Sequence, residues 1–123
     1  MKKREAKFQT EFNQWLRDNP QTGAFELKQT TTDSLPFSNV QEHQINALLA
    51  VKHGRLIYKI PDDSRSYKPF DCFCFTKSSS YIVIKYPSCW VMIDIDEFQK
   101  ENASSARRSL LVSRAREIAT IVV

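Results

Sequence analysis

Phe8, Phe12, Trp15 and Leu16 stand at offsets of four, seven and eight, which draws one apolar stripe and predicts a helix over residues 3–17. Asn19-Pro20 stops that helix, and Gly23 opens the next segment. Residues 24–29 read Ala-Phe-Glu-Leu-Lys-Gln and predict a strand, with Phe25 and Leu27 on one side and Glu26 and Lys28 on the other. Polar residues 30–34 form a linker, and Pro36 fixes an extended approach to a second helix. Ser38 or Asn39 is expected to cap it, with Ile45, Leu48, Leu49 and the stem of Lys52 facing the core and Gly54 closing it. Strands are expected near 55–60, 70–75, 81–86 and 90–94, with an exposed loop at 61–66 and a hairpin turn at 77–80. Residues 81–84, Tyr-Ile-Val-Ile, lack alternation and predict a strand buried on both faces. Asp94, Asp96 and Glu97 read as a solvated turn pinned by Phe98, and the tail from 104 or 109 to 121 reads as a helix. The pattern places the chain in the α/β or α+β class, with helices on both sides of a four- or five-stranded mixed sheet.

At 123 residues the chain is expected to be one domain, 1–123. A hydrophobic share of 41% with eight Phe excludes a disordered tail. No apolar run approaches the roughly 20 residues that span a bilayer. The charged start Met1-Lys2-Lys3-Arg4-Glu5 leads into an amphipathic stretch rather than a signal-peptide core. A cytoplasmic protein without a membrane partner is therefore expected. Three cysteines, Cys72, Cys74 and Cys89, without close His partners argue against structural zinc or a disulfide framework and for buried free thiols. The net charge is +4. Lys2, Lys3, Arg4 and Lys7 cluster at one end and Arg107, Arg108, Arg114 and Arg116 at the other. Brought together they would make one basic surface, either for a polyanion or for solubility alone.

The chemistry rests on acids placed in apolar strands. Glu26 lies within one and Asp71, in Lys68-Pro69-Phe70-Asp71, at the start of another. A bare carboxylate there costs free energy unless it is paired or liganded. Phosphodiester hydrolysis needs a divalent ion to polarise the phosphate and activate water, and a positive group beside the developing charge. Magnesium takes hard oxygen ligands and keeps several waters. Glu26, Asp71 and the Leu27 carbonyl would supply such oxygens for Mg2+ or Mn2+, with Lys28 as the cation.

Phe25-Glu26-Leu27-Lys28, together with Leu35-Pro36-Phe37-Ser38-Asn39-Val40-Gln41-Glu42-His43-Gln44-Ile45, resembles the PD-(D/E)xK nuclease superfamily. Within it the chain is similar to the Holliday junction resolvases of bacteria and their phages. The resemblance covers about residues 5–60 and implies a restriction-endonuclease-like mixed sheet flanked by helices. It implies Glu26 and Lys28 as the Glu-x-Lys strand, Gln44 as a residue supporting the site, and Glu11 as the helix acid. It departs from the family in order. Too few residues separate the first helix from Glu26 for the Asp hairpin, whose signature arrives instead at residues 68–73. That implies a permuted arrangement in which the sheet brings Asp71 beside Glu26. Val83-Ile84-Lys85 stands where Glu-x-Lys is usual, leaving Lys85 as a second basic group at the site. The function expected is a magnesium-dependent endonuclease on DNA, branched DNA included, acting as a homodimer so that two strands are cut symmetrically. Lys2, Lys3, Arg4, Lys85, Arg107, Arg108 and Arg114 are the expected DNA contacts. The competing readings are a catalytically inactive DNA-binding module of the same fold and a protein-interaction domain.

Overall fold

The apolar stripe of the first helix finds its sheet. In the computed structural model, which describes residues 3–19, 23–53, 57–59, 72–74 and 78–123, α1 (Lys3–Asp18) lies along β1 (Ala24–Gln29). Phe8 and Phe12 bury themselves against Val83 and Met92, with Trp15, Leu16, Phe25, Leu27 and Trp90 packed around them. Phe12 meets Phe25 edge to face at 5.3 Å and Phe8 meets Trp90 at 5.2 Å, geometries that aromatic quadrupoles favour.

The chain then forms β2 (Ser34–Pro36), a 3-10 turn (Phe37–Asn39) and α2 (Glu42–His53). Farther on come β3 (Ile57–Lys59), β4 (Cys72–Cys74), β5 (Ser80–Lys85), β6 (Trp90–Asp94) and α3 (Ile95–Ser104). The last elements are β7 (Ser109–Leu111), α4 (Val112–Ile118) and β8 (Ile121–Val122). The main sheet has the order β1-β5-β6-β8, with β1 parallel to β5 and the other pairs antiparallel. A parallel pair needs a crossover, and α2 lies in it, packing on both strands. The second face of the sheet is covered by α2, α3 and α4, with Phe98 of α3 and Ala115 of α4 packed in one core with Ile82, Ile84, Val91 and Ile93 of the sheet. The described residues form a mixed α+β fold with helices on both sides of a mixed sheet.

Gly23 is the hinge into β1. Its φ is +143°, and a Cβ there would lie 2.4 Å from the Ser79 carbonyl oxygen. That oxygen accepts the Ala24 N–H at 2.9 Å, so the close approach sets the first rung of the β1–β5 ladder.

Several expectations change. The 3-10 turn buries Phe37 and delays α2, so the residue before the helix is Gln41 rather than Ser38 or Asn39. The linker expected at 30–34 runs into a strand, because Ser34–Pro36 pairs antiparallel with Ser109–Leu111. The expected hairpin across 77–80 is absent among the described residues: β4 pairs with β3 in a separate sheet, and β5 pairs with β1 and β6. Asp94 opens a helix instead of a turn, its carboxylate accepting the Asp96 N–H at 2.9 Å. Phe98, fully buried, holds that helix to the core. The tail divides into β7, α4 and β8, because Leu110 is drawn into the core beside Leu35 while residues 121–122 add a rung to β6. Cys89 is a buried free thiol. Among the described residues no helix is long and apolar enough to cross a membrane.

Candidate functional site

β1 is bonded on one side only among the described residues. Ala24 and Thr30 donate their N–H groups to Ser79 and Lys85 in β5's path, at 2.9 and 3.0 Å. Alternation along the strand therefore turns the Glu26 and Lys28 peptide groups toward β5 and those of Phe25, Leu27 and Gln29 outward. The side chains alternate in the other plane. Phe25 and Leu27 enter the α1 core, so Glu26 and Lys28 project on the α2 face.

There Glu26 meets α2. Gln44 donates from Nε2 to Glu26 Oε1 at 2.8 Å, while its own Oε1 accepts the Gln41 N–H at 3.0 Å. That backward reach is the acceptor half of a capping box, and it leaves one amide orientation: oxygen to the helix start, nitrogen to the carboxylate. Glu26 is thereby held beside the helix end whose N–H groups point outward, a favourable place for negative charge. Lys28 Nζ stands 3.5 Å from the same Glu26 oxygen. Both side chains keep contact with solvent, 20% exposed for Lys28 and 28% for Glu26. The three residues line an open groove of about 630 Å3 along the outer edge of β1, with Gln9, Gln29, Ser38, Asn39 and Gln41 among its walls.

The other expected site residues lie elsewhere. Glu11 and Lys85 pair with each other at 2.8 Å on the α1 face, where Lys85 also lies 5.8 Å from the Phe8 ring centroid. They are on the opposite side of the sheet from Glu26 and Lys28, because Lys85 shares the parity of Val83, which faces α1. Glu11 is thus the partner of Lys85 rather than of the Glu26 cluster. Asp71 and Lys2 lie outside the described residues, and of Lys3 and Arg4 the helical backbone alone is described. Arg107 and Arg108 are exposed near β7. Arg114 is tied to Glu101 at 3.0 Å and Glu117 at 2.7 Å.

A magnesium ion would find hard oxygen donors at the groove in the Glu26 carboxylate and the outward Leu27 carbonyl. Two protein oxygens with water completing the shell fit that ion's habits. Among the described residues no three His, Cys, Asp or Glu side chains converge on one point.

A second polar centre escaped the sequence. Lys52, at the end of α2, binds both Asp94 oxygens at 2.6 and 2.7 Å and Asp96 at 2.6 Å, and His53 approaches Asp96 at 3.3 Å. Burial alone would lower the Lys52 pKa, but the bonds from Asp94 and Asp96 together raise it. The Lys52 ammonium in turn holds the Asp96 carboxyl below its ordinary range, against a smaller opposing effect of burial. Gln9, Ser38, Asn39 and Gln41 were not expected as walls of the site; the turn after Pro36 was a local signal for the last three, and Gln9 had none. No family model matches this sequence, and no curated protein matches it.

Proposed function

We propose that this chain is a metal-dependent endonuclease that hydrolyses DNA phosphodiester bonds at the edge of β1. The observation that carries the reading is a single strand presenting Glu26 and Lys28 together into an open groove, with the carboxylate locked by Gln44. In this reading Glu26 and the Leu27 carbonyl would hold a magnesium ion, which would polarise the phosphate and activate water; Asp71, the other expected ligand, lies outside the described residues. Gln44 keeps the Glu26 carboxylate in one orientation. Lys28 offers its ammonium to the charge that develops on the phosphate. The groove admits the strand from solvent without any opening of the core.

Incubating the protein with labelled branched, single-stranded and duplex DNA in Mg2+ tests the reading. Cleavage that disappears with chelator and falls by about two orders of magnitude or more in Glu26→Gln and Lys28→Met is the expected result. Intact substrates in every case would sink it.

A second reading, a non-catalytic DNA-binding module, draws on the neutral balance of the site. Glu26 is already matched by Lys28 and Gln44, and no second described carboxylate joins it. It predicts binding that survives chelation and Glu26→Gln, with affinity falling steeply with salt.

A further inference from the structure

The groove has walls that phosphodiester cleavage does not use. Gln9 comes from α1, Ser38 and Asn39 from the 3-10 turn, and Gln41 from the start of α2. All four are exposed. Each carboxamide offers donors and an acceptor on one planar group. The floor adds the outward peptide groups of β1, Leu27 foremost, each with one N–H and one C=O. Among the described residues, the two charged groups that line the groove, Glu26 and Lys28, are opposite in sign and 3.5 Å apart, so they nearly offset each other. Channels that follow a phosphate backbone are lined with cations. This one is lined with hydrogen-bonding groups of both senses.

Such a lining matches the edge of a nucleobase, where donor stands next to acceptor. Shape then decides the pairing state. Bases inside a duplex are read by a convex element that enters a major groove about 12 Å wide. Here the amides line a concavity of about 630 Å3, so the base must come to the protein, which requires it to be unpaired. An extended peptide could also use the backbone edge of β1, but that mode takes its specificity from pockets for alternate side chains. Among the described residues, the walls beside β1 are amides and a hydroxyl apart from Phe8, which is almost fully buried.

We infer that the groove holds an unpaired stretch of DNA along β1. Its base edges are read by Gln9, Asn39, Gln41 and the Leu27 peptide group, while the adjoining phosphate reaches Glu26 and Lys28. This rests on the nuclease reading and narrows its substrate class to DNA with unpaired nucleotides at the cut, with a preference among bases.

The test uses the full chain, isotope-labelled, with Ca2+ in place of Mg2+ so that strands stay intact. The ligands are short oligo-dA, the same strand built from purine, which lacks the 6-amino group, and the matching duplex. Oligo-dA is expected to bind about tenfold tighter than either alternative. The amide signals of Leu27 and Gln29 and the side-chain amides of Gln9 and Asn39 should shift. The double variant Gln9→Ala, Asn39→Ala changes exposed positions alone, and it should erase the preference while leaving the thermal transition in place. Equal affinity for the three ligands, signal changes elsewhere, or a preference that survives in the double variant overturns the inference. So does an absence of oligonucleotide binding while an extended peptide shifts Leu27. Base-selective binding without cleavage in Mg2+ removes the nuclease reading and keeps this one; cleavage without base selectivity does the reverse.

Discussion

Gln44 joins helix and strand through one side-chain amide. Its oxygen closes the start of α2 on Gln41 and its nitrogen fixes Glu26. Removing both bonds in Gln44→Ala is expected to cost about 1–2 kcal/mol, read by chemical denaturation, because a lost cap and a lost charge-assisted bond add. Gly23 makes a different demand. Gly23→Ala sets a Cβ against the Ser79 carbonyl on a backbone at φ +143°, so a loss of about 1–3 kcal/mol is expected in the same measurement. The Glu26–Lys28 pair was legible at this scale, since strand alternation alone puts both on one face. Gln44 was expected at the site only through the family resemblance, because nothing local ties a helix residue to a strand 18 positions earlier.

Between elements, the Lys52 network fastens the end of α2 to the start of α3. Asp96 is more acidic folded than unfolded, so its contribution is present above the unfolded value of about 3.9 and is lost as pH falls through the folded one. Lys52 is shifted the other way: its contribution is full below about 10.4 and is lost only as pH rises beyond that. Lys52→Met should therefore lower the melting temperature most between those limits and flatten its decline on the acid side. The groups are about one third exposed or less, and solvent screening keeps the expected effect near 1 kcal/mol. Tyr86 makes a second joint. Its buried hydroxyl donates to the Leu110 carbonyl at 2.9 Å, linking the β5–β6 turn to β7. Burial, and to a lesser degree Cys89, pushes the phenol well above its usual range, so it stays a donor across ordinary pH. Tyr86→Phe leaves that carbonyl without its donor, and a loss of about 1–3 kcal/mol in thermal unfolding is expected.

For the molecule as a whole, the sheet separates two cores that must fold together. Trp15 and Trp90 both belong to the α1 side, whereas Phe98 belongs to the opposite side. Phe98→Ala is expected to cost about 3–5 kcal/mol. Because β5 and β6 supply residues to both cores, tryptophan fluorescence should report that loss at the same midpoint as far-ultraviolet circular dichroism. Two separate midpoints would show that the faces unfold independently.

Local periodicity determined α1, β1, α2 and the doubly buried β5, because those patterns are written within a few residues of one another. The tail misled for the same reason. Its apolar spacing suits a helix, yet Leu110 and Ile121 gain more by joining Leu35 and Met92 across strands than by continuing one turn after another. Tertiary structure alone decided that β5 would lie parallel beside β1, that Glu11 would meet Lys85 rather than Glu26, and that Lys52 would find Asp94. Those choices depend on which buried faces and backbone groups can be satisfied at once by residues far apart in the chain, a condition no short window of sequence contains.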